Sequence, residues 1–436
     1  MGFRNELYCW MLATSLSLVN MSNGWIWITY ATISDFASQF YSTSLADINW
    51  ISLLFGVIIS VAGIPLIWFI DRFGIKLTLV IAAVLNFLCA VVRSISSLSI
   101  VPINYRYAVL VLGSVFGAIS QPLGLFSSTK LASTWFSSRK RANANTLASM
   151  GNPLGVLTAS LLSALIVTKK EDVTQLNNFY LILPSMTLVI VIISVYLAPN
   201  KHNISLLDGL SFYQQLKLCV TNYRFVILNM AFGISIAVFT TYSTLIQQIL
   251  CPFGYSDTFS GLCGSLFLGV GFPGVILCSY LVHKTGALVG TVKMFIMFTA
   301  IGMIGFSITS SLAGEHALVA ISVCWMGFFG FGVYPFCLEL AAETAFPAGE
   351  VVTTGLLLFI SQVISMVMIP VAQVIAIPSK HLSSIAACSV NDIKDYWMAN
   401  SIIAVIGVIN ASILMLIFNT EYKRKMKEEK VFPGDL

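Results

Sequence analysis

Charge is what this chain has least of. Asp, Glu, Lys and Arg make up only 9% of its 436 residues, against about 25% in an average soluble domain, while 57% are hydrophobic. A soluble domain has too little interior to hide that much apolar surface; a bilayer can take it. Histidine is scarce as well, and His202, His283, His316 and His381 all fall between the apolar runs. The nine cysteines are scattered singly, without CxxC or Cys/His spacing, so no zinc-ligand pattern is present. None of the 18 Asp and Glu residues lies at the centre of an apolar run; Asp35, just past the outer end of the first, comes nearest. Proton relays and intramembrane hydrolases are built from buried acids, bases and metal ligands. Enzyme activity and proton coupling are therefore both disfavoured, and neither a metal nor a cofactor is expected. The net charge of +5 is too small to argue for nucleic acid.

What is there is a series of apolar stretches, each near the roughly 20 residues that cross a bilayer. Six fill the first half: Tyr8–Ile33, Asn49–Ile70, Leu77–Val92, Ala108–Phe126, Ala142–Val167 and Phe179–Leu197. Six fill the second: Phe225–Leu250, Phe259–Val282, Val292–Ser310, Ala317–Leu338, Val351–Ile377 and Trp397–Phe418. The expected architecture is an all-α membrane protein with twelve transmembrane helices. Its parts are a half over 1–197, a linker over 198–224, a second half over 225–418 and a tail over 419–436. In the linker Leu206, Leu210, Tyr213 and Leu216 recur at helical spacing, which predicts a short helix on the membrane surface. Met1 to Leu7 is a short polar entry, so the first run is expected to insert itself and to stay. With both termini inside, the inner segments hold 17 Lys and Arg and the outer ones 6. That asymmetry is the positive-inside pattern. It predicts cytoplasmic termini; separately, the expected setting is the plasma membrane rather than an organelle, and the expected state a monomer surrounded by lipid.

The halves echo one another. Lys130-Leu131-Ala132-Ser133 closes the fourth run and Glu339-Leu340-Ala341-Ala342 the tenth, 209 residues apart, and the same offset pairs Arg141 with Glu350. Parallel six-helix repeats are the architecture of the major facilitator superfamily fold, in two pseudo-symmetric halves. That superfamily's Asp-Arg-x-Gly loop has its counterpart in Asp71-Arg72-Phe73-Gly74, where a carboxylate can sit against a helix N-terminus. The second half has His283-Lys284-Thr285-Gly286 instead. Unlike charges at repeat-related places suggest an inner gate of Lys130 with Glu339 and Arg141 with Glu350, with Glu343 one turn beyond Glu339.

Inside the runs, uncharged polar groups and aromatics stand where carboxylates do not. Asn20-Met21-Ser22-Asn23-Gly24 interrupts the first run and is expected to soften it near mid-membrane, where carriers place their sites. Trp27 and Tyr30 are three apart, so on a helix they share a face. Gln121, Asn152, Asn229, Gln247, Gln248 and Gln362 supply amides, each of which alternatively serves as a helix–helix hydrogen bond. Aromatic faces and amides without a carboxylate suit a small organic cation or a neutral polar solute. Cys251, Cys263 and Cys388 fall at outer loops and are candidates for a disulfide.

Several stretches resemble the feline leukaemia virus subgroup C receptor-related transporters, solute carrier family 49. They are Asn49-Trp50-Ile51-Ser52-Leu53, Gln121-Pro122 followed by Lys130 to Phe136, Asn152-Pro153-Leu154-Gly155, Gln248-Ile249-Leu250-Cys251, Phe259 to Gly264, and Leu338 to Ala341 with Phe346 to Glu350. The resemblance runs from the first span to the twelfth. It implies facilitative transport of choline or ethanolamine, with haem export also attributed to the family. It also implies an aromatic cage, whose first-span tryptophan matches Trp27. The seventh-span tyrosine is replaced by Thr240, with Tyr242 two residues on. Of the family's two glutamines, Gln362 matches the eleventh-span one and Pro153 replaces the fifth-span one. The expected function is a uniporter for a small polar, cationic metabolite. The alternatives are a porphyrin exporter, or a receptor or scaffold that keeps the fold but has its cavity blocked by Pro153 and Trp25.

Overall fold

The computed structural model describes residues 3–198, 210–378, 394–422, 424 and 426. Twelve long helical stretches account for most of it. They are α1 Phe3–Ile28, α2 Leu45–Phe73, α3 Ile75–Ser96, α4 Ile103–Leu125, α5 Lys140–Ile166, α6 Asp172–Leu197, α7 Tyr223–Phe253, α8 Thr258–Thr285, α9 Leu288–Thr309, α10 His316–Thr344, α11 Glu350–Ile375 and α12 Trp397–Ile417. The eleven from α2 to α12 are long and apolar enough to cross a membrane. At 26 residues α1 has the length, but Asn5, Glu6, Asn20, Ser22 and Asn23 make it more polar than the rest. Among the described residues, strand is confined to the pairing of Ile377–Pro378 with Lys394–Asp395.

Proline explains where the long stretches are notched. The helix lapses at Met150, Leu181, Val270 and Val333, and Pro153, Pro184, Pro273 and Pro335 follow within three residues. A proline donates no backbone hydrogen bond and its ring crowds the carbonyl four residues earlier. In α10 the notch is preceded by a π-helical turn, Gly327–Phe331. Pro65, Pro122 and Pro370, by contrast, ride inside unbroken helix.

The chain packs as two compact units. One comprises 1–217, 346–359 and 424–436, the other 218–345 and 360–423, so α11 is shared between them. In the first unit α1 and α5 cross at backbone contact. A Cβ on Gly151 would stand 2.1 Å from the Ser17 carbonyl oxygen, and one on Gly155 2.2 Å from that of Met21. Around this crossing Trp25 is buried. Its indole donates to Thr158 Oγ1 at 2.7 Å and stacks on Phe179. The ring expected to block a cavity is thus part of the unit's core. The second unit is centred on Tyr242, Phe267, Phe306 and Met303, and α8 and α10 approach closely in it through Gly274 and Gly327.

The linker helix forms over Phe212–Thr221. Its buried face is Gln215 and Cys219, whereas Tyr213, assigned to the apolar stripe, is 73% exposed. Hydrogen bonds made by Gln215 set this rotation. Leu206 lies outside the described residues.

Candidate functional site

The polar segment of α1 does not interrupt the helix, which is continuous from Phe3 to Ile28. Its amides are spent across the bundle. Asn20 Nδ2 donates to the Ala148 carbonyl at 2.9 Å. Asn23 Nδ2 donates to Asn86 Oδ1 at 3.0 Å and to the Gly117 carbonyl at 2.8 Å. Asn152 Nδ2 donates to the Asn20 carbonyl at 3.3 Å. Interhelical hydrogen bonds of this kind are the usual role for polar side chains in membrane bundles. Gln121 is buried one turn beyond Gly117 on α4. Its Oε1 and the Oδ1 of Asn23 are buried without a hydrogen-bond partner among the described residues.

Trp27 and Tyr30 do not share a face. Trp27 packs against the cluster of Ile26, Phe55 and Ala118, whereas Tyr30, just past the end of the α-helix at Ile28, packs with Trp25, Tyr41 and Tyr180. Trp27 is half-buried; its Nε1 donates to the Ser52 carbonyl at 3.2 Å, and Ser52 Oγ donates to the Trp27 carbonyl. Tyr30 is fully buried, donating to Asn177 Oδ1 at 2.7 Å with the Arg93 guanidinium 5.1 Å from its ring centre. Arg93, counted with the outer loops, is buried in the last turn of α3. It donates to the Ile26 carbonyl and to Ser114 Oγ. A helix C-terminus and an aromatic face thus surround its charge.

In the second unit Tyr242 is buried, with its hydroxyl on Asn400 Oδ1 at 2.8 Å. Gln247 is exposed and Gln362 half-buried. Tyr242 also lines a cavity bounded by α7, α8, α9, α10 and α12, whose walls are mostly apolar and include six aromatic side chains. The centre of a water-sized sphere ranges over about 40 Å³ of it. Nothing in the spacing of single aromatics along the sequence picks out this cavity, because its walls come from five helices.

Asp71, Lys130 and Gln215 form a connected cluster in the first unit. Lys130 Nζ lies 3.4 Å from Asp71 Oδ1, and Gln215 Nε2 donates to Asp71 Oδ2 at 3.3 Å. The same amide accepts from the Gly349 N–H at 2.9 Å, immediately before α11. Asp71 therefore reaches the helix N-terminus through an amide. Arg72 is exposed. Glu350 lies 3.7 Å from Arg424 Nη1, a partner from the tail that the repeat did not indicate, and Arg141 is buried at the start of α5. In the second unit Glu339 is half-buried and Glu343 buried, one turn apart on α10. Gln215 was missed because the linker was read for its apolar stripe alone. Of the cysteines, Cys251 is disulfide-bonded, Cys263 is a free thiol buried in the second unit's core, and Cys388 lies outside the described residues.

The family model for the Major Facilitator Superfamily matches residues 12–370. Solute carrier family 49 member A3 of Danio rerio is 32% identical over 96% of this chain and 89% of its own length. The Xenopus tropicalis protein of the same name is 32% identical over 98% and 90%. The human choline/ethanolamine transporter FLVCR2 is 25% identical over 82% of this chain and 70% of its own. Among solved structures, the E. coli fucose:proton symporter FucP matches with a TM-score of 0.70 at 12% identity, over 93% of this chain and 98% of that one. With the family model spanning α1 to α11 and two relatives matched nearly end to end, the chain belongs to the major facilitator superfamily of membrane transporters and, within it, to solute carrier family 49.

Proposed function

We propose that this transporter is a uniporter working by alternating access on a small polar, cationic metabolite such as choline or ethanolamine. Its halves are 1–197 and 225–418, and both termini are cytoplasmic at the plasma membrane. The observation that carries the reading is the chemistry of the described spans. Acids stand only near helix ends, as at Asp47, Asp71 and Glu339, while within the spans Trp27 and Gln362 are half-buried and Gln121 is buried. A cation in such surroundings is held by ring faces and amide dipoles, and no carboxylate in the middle of the described spans competes to carry a proton. The family relationship to proteins named as choline/ethanolamine transporters supports the same class.

The cluster of Asp71, Lys130 and Gln215 acts as the inner gate in this reading, holding the first turns of α11 to the first unit while the rest of α11 belongs to the other. A thermal-stability screen of the purified full-length protein tests the substrate class. Choline and ethanolamine should raise its Tm in a dose-dependent way, and a neutral polyol or haem should not. Stabilisation by haem alone would overturn the reading.

A further inference from the structure

The cavity of the second unit is built for more than packing. Five rings run along it in a stacked series: Phe267 on Phe239 at 4.5 Å, Phe239 on Phe331 at 5.4 Å, Phe331 on Tyr334 at 6.1 Å, and Tyr334 on Phe232 at 6.0 Å. Phe331 closes the π-helical turn of α10, and π turns are frequent at functional sites. Polar residues line the space too: Ser235, Tyr242 and Thr299, whose hydroxyls donate to the Ala231 carbonyl, Asn400 and the Phe295 carbonyl, and Cys337, Asn410 and Tyr334. Asn410 spends its amide N–H groups on the Ala231 carbonyl at 2.8 Å and Ser235 Oγ at 3.2 Å. Its Oδ1 has no donor among the described residues, and the Tyr334 hydroxyl has no partner among them either. Both residues line the cavity.

What remains for a ligand is therefore acceptor-rich. The Asn410 amide has only its oxygen left to offer, and a phenol accepts as readily as it donates. Ring faces attract positive charge. A carboxylate or phosphate would find no basic side chain lining this cavity. A group that is positive and carries N–H donors answers both features at once. Size points the same way. One water needs about 10–15 Å³ of the kind of volume given above, so the cavity takes about three waters or one small amine.

We propose that this cavity is a binding site for a primary ammonium, and that it makes the protein prefer ethanolamine to choline. The proposal rests on the cationic-metabolite reading above and adds a site and a selectivity to it. Ethanolamine presents three N–H donors that can reach Asn410 Oδ1 and Tyr334 while its charge faces Phe331. Choline replaces all three N–H donors by methyl groups and keeps only its hydroxyl, enlarging the head and leaving at least one acceptor unpaired. Leaving a buried polar group unmatched is what makes such sites selective.

The test is a methylation series on purified full-length protein: ethanolamine, its N-methyl and N,N-dimethyl derivatives, and choline, each titrated by calorimetry. Wild-type affinity should fall at every added methyl group, by about tenfold or more across the series. Tyr334→Phe keeps the ring and removes the hydroxyl; it should weaken ethanolamine about tenfold and leave choline unchanged. Equal wild-type affinity across the series would overturn the proposal, and so would a Tyr334→Phe series matching wild type, as expected of a cavity that holds only water. If choline binds and responds to Trp27 replacement while the series is flat, the broader reading stands and this site falls. If none of the four binds, both fall.

Discussion

Trp27 and Tyr30, three residues apart, sit in different surroundings. The half-buried Trp27 ring is fixed by reciprocal bonds to Ser52, a rigid aromatic face with its N–H already satisfied. In the proposed mechanism that face carries the cation. Trp27→Ala should then abolish choline binding, whereas Trp27→Phe should retain part of it, because the smaller ring keeps much of its quadrupole. Equal loss in both well-folded variants would point to shape rather than charge, and no loss in either would make Trp27 a packing residue. Tyr30 belongs to the framework, with its hydroxyl on Asn177 and Arg93 over its ring.

At the scale of elements, the α1–α5 crossing bears the tightest constraint in the first unit. Gly151→Val places carbon where the Ser17 carbonyl oxygen lies 2.1 Å away, so the helices must part. Overpacking of this kind costs about 1–3 kcal/mol, and the purified variant should show a clear fall in Tm. Gly261→Ala is the control: nothing lies within 4 Å of its Cβ position, and Tm should hold or rise slightly. Equal effects would mean the crossing is not close-packed. Helices of this kind were legible in the sequence because a run of about 20 apolar residues has few alternatives in a bilayer. Their ends were less so. Tyr30 was placed by helical spacing, yet the chain leaves the helix at Ile28. Asn20 and Asn23 were read as softening α1, but partners on other helices decide that, and Ala148, Asn86 and Gly117 are distant in sequence. The same holds for Gln215, whose bonds to Asp71 and Gly349 join segments that no local pattern connects.

In the proposed mechanism the whole molecule alternates between states, with the Asp71–Gln215–Gly349 connection as a holding point. Gln215→Leu keeps the volume and removes the side chain's hydrogen bonds to Asp71, Gly349 and the Leu210 carbonyl. Cys219, one turn further on the same buried face, reports the result. Burial pushes its thiol up to about 12, so at neutral pH in the closed arrangement it is protonated and unreactive. Release of the linker helix exposes it. A shift of about 1.4 kcal/mol in the balance of states should raise the rate of maleimide labelling at Cys219, read by mass spectrometry, about tenfold. An unchanged rate in Gln215→Leu would mean that the amide only fills space.

The central claim is that a cation crosses without a proton. Choline is the right probe because its charge is permanent, so a pH difference cannot act on the substrate itself. Reconstituted into sealed vesicles, the full-length protein should take up choline in response to an imposed inside-negative potential. It should ignore an imposed pH difference at zero potential, since the described spans hold no central acid or base to carry the proton. Uptake that follows the pH difference with the potential clamped at zero would contradict the claim.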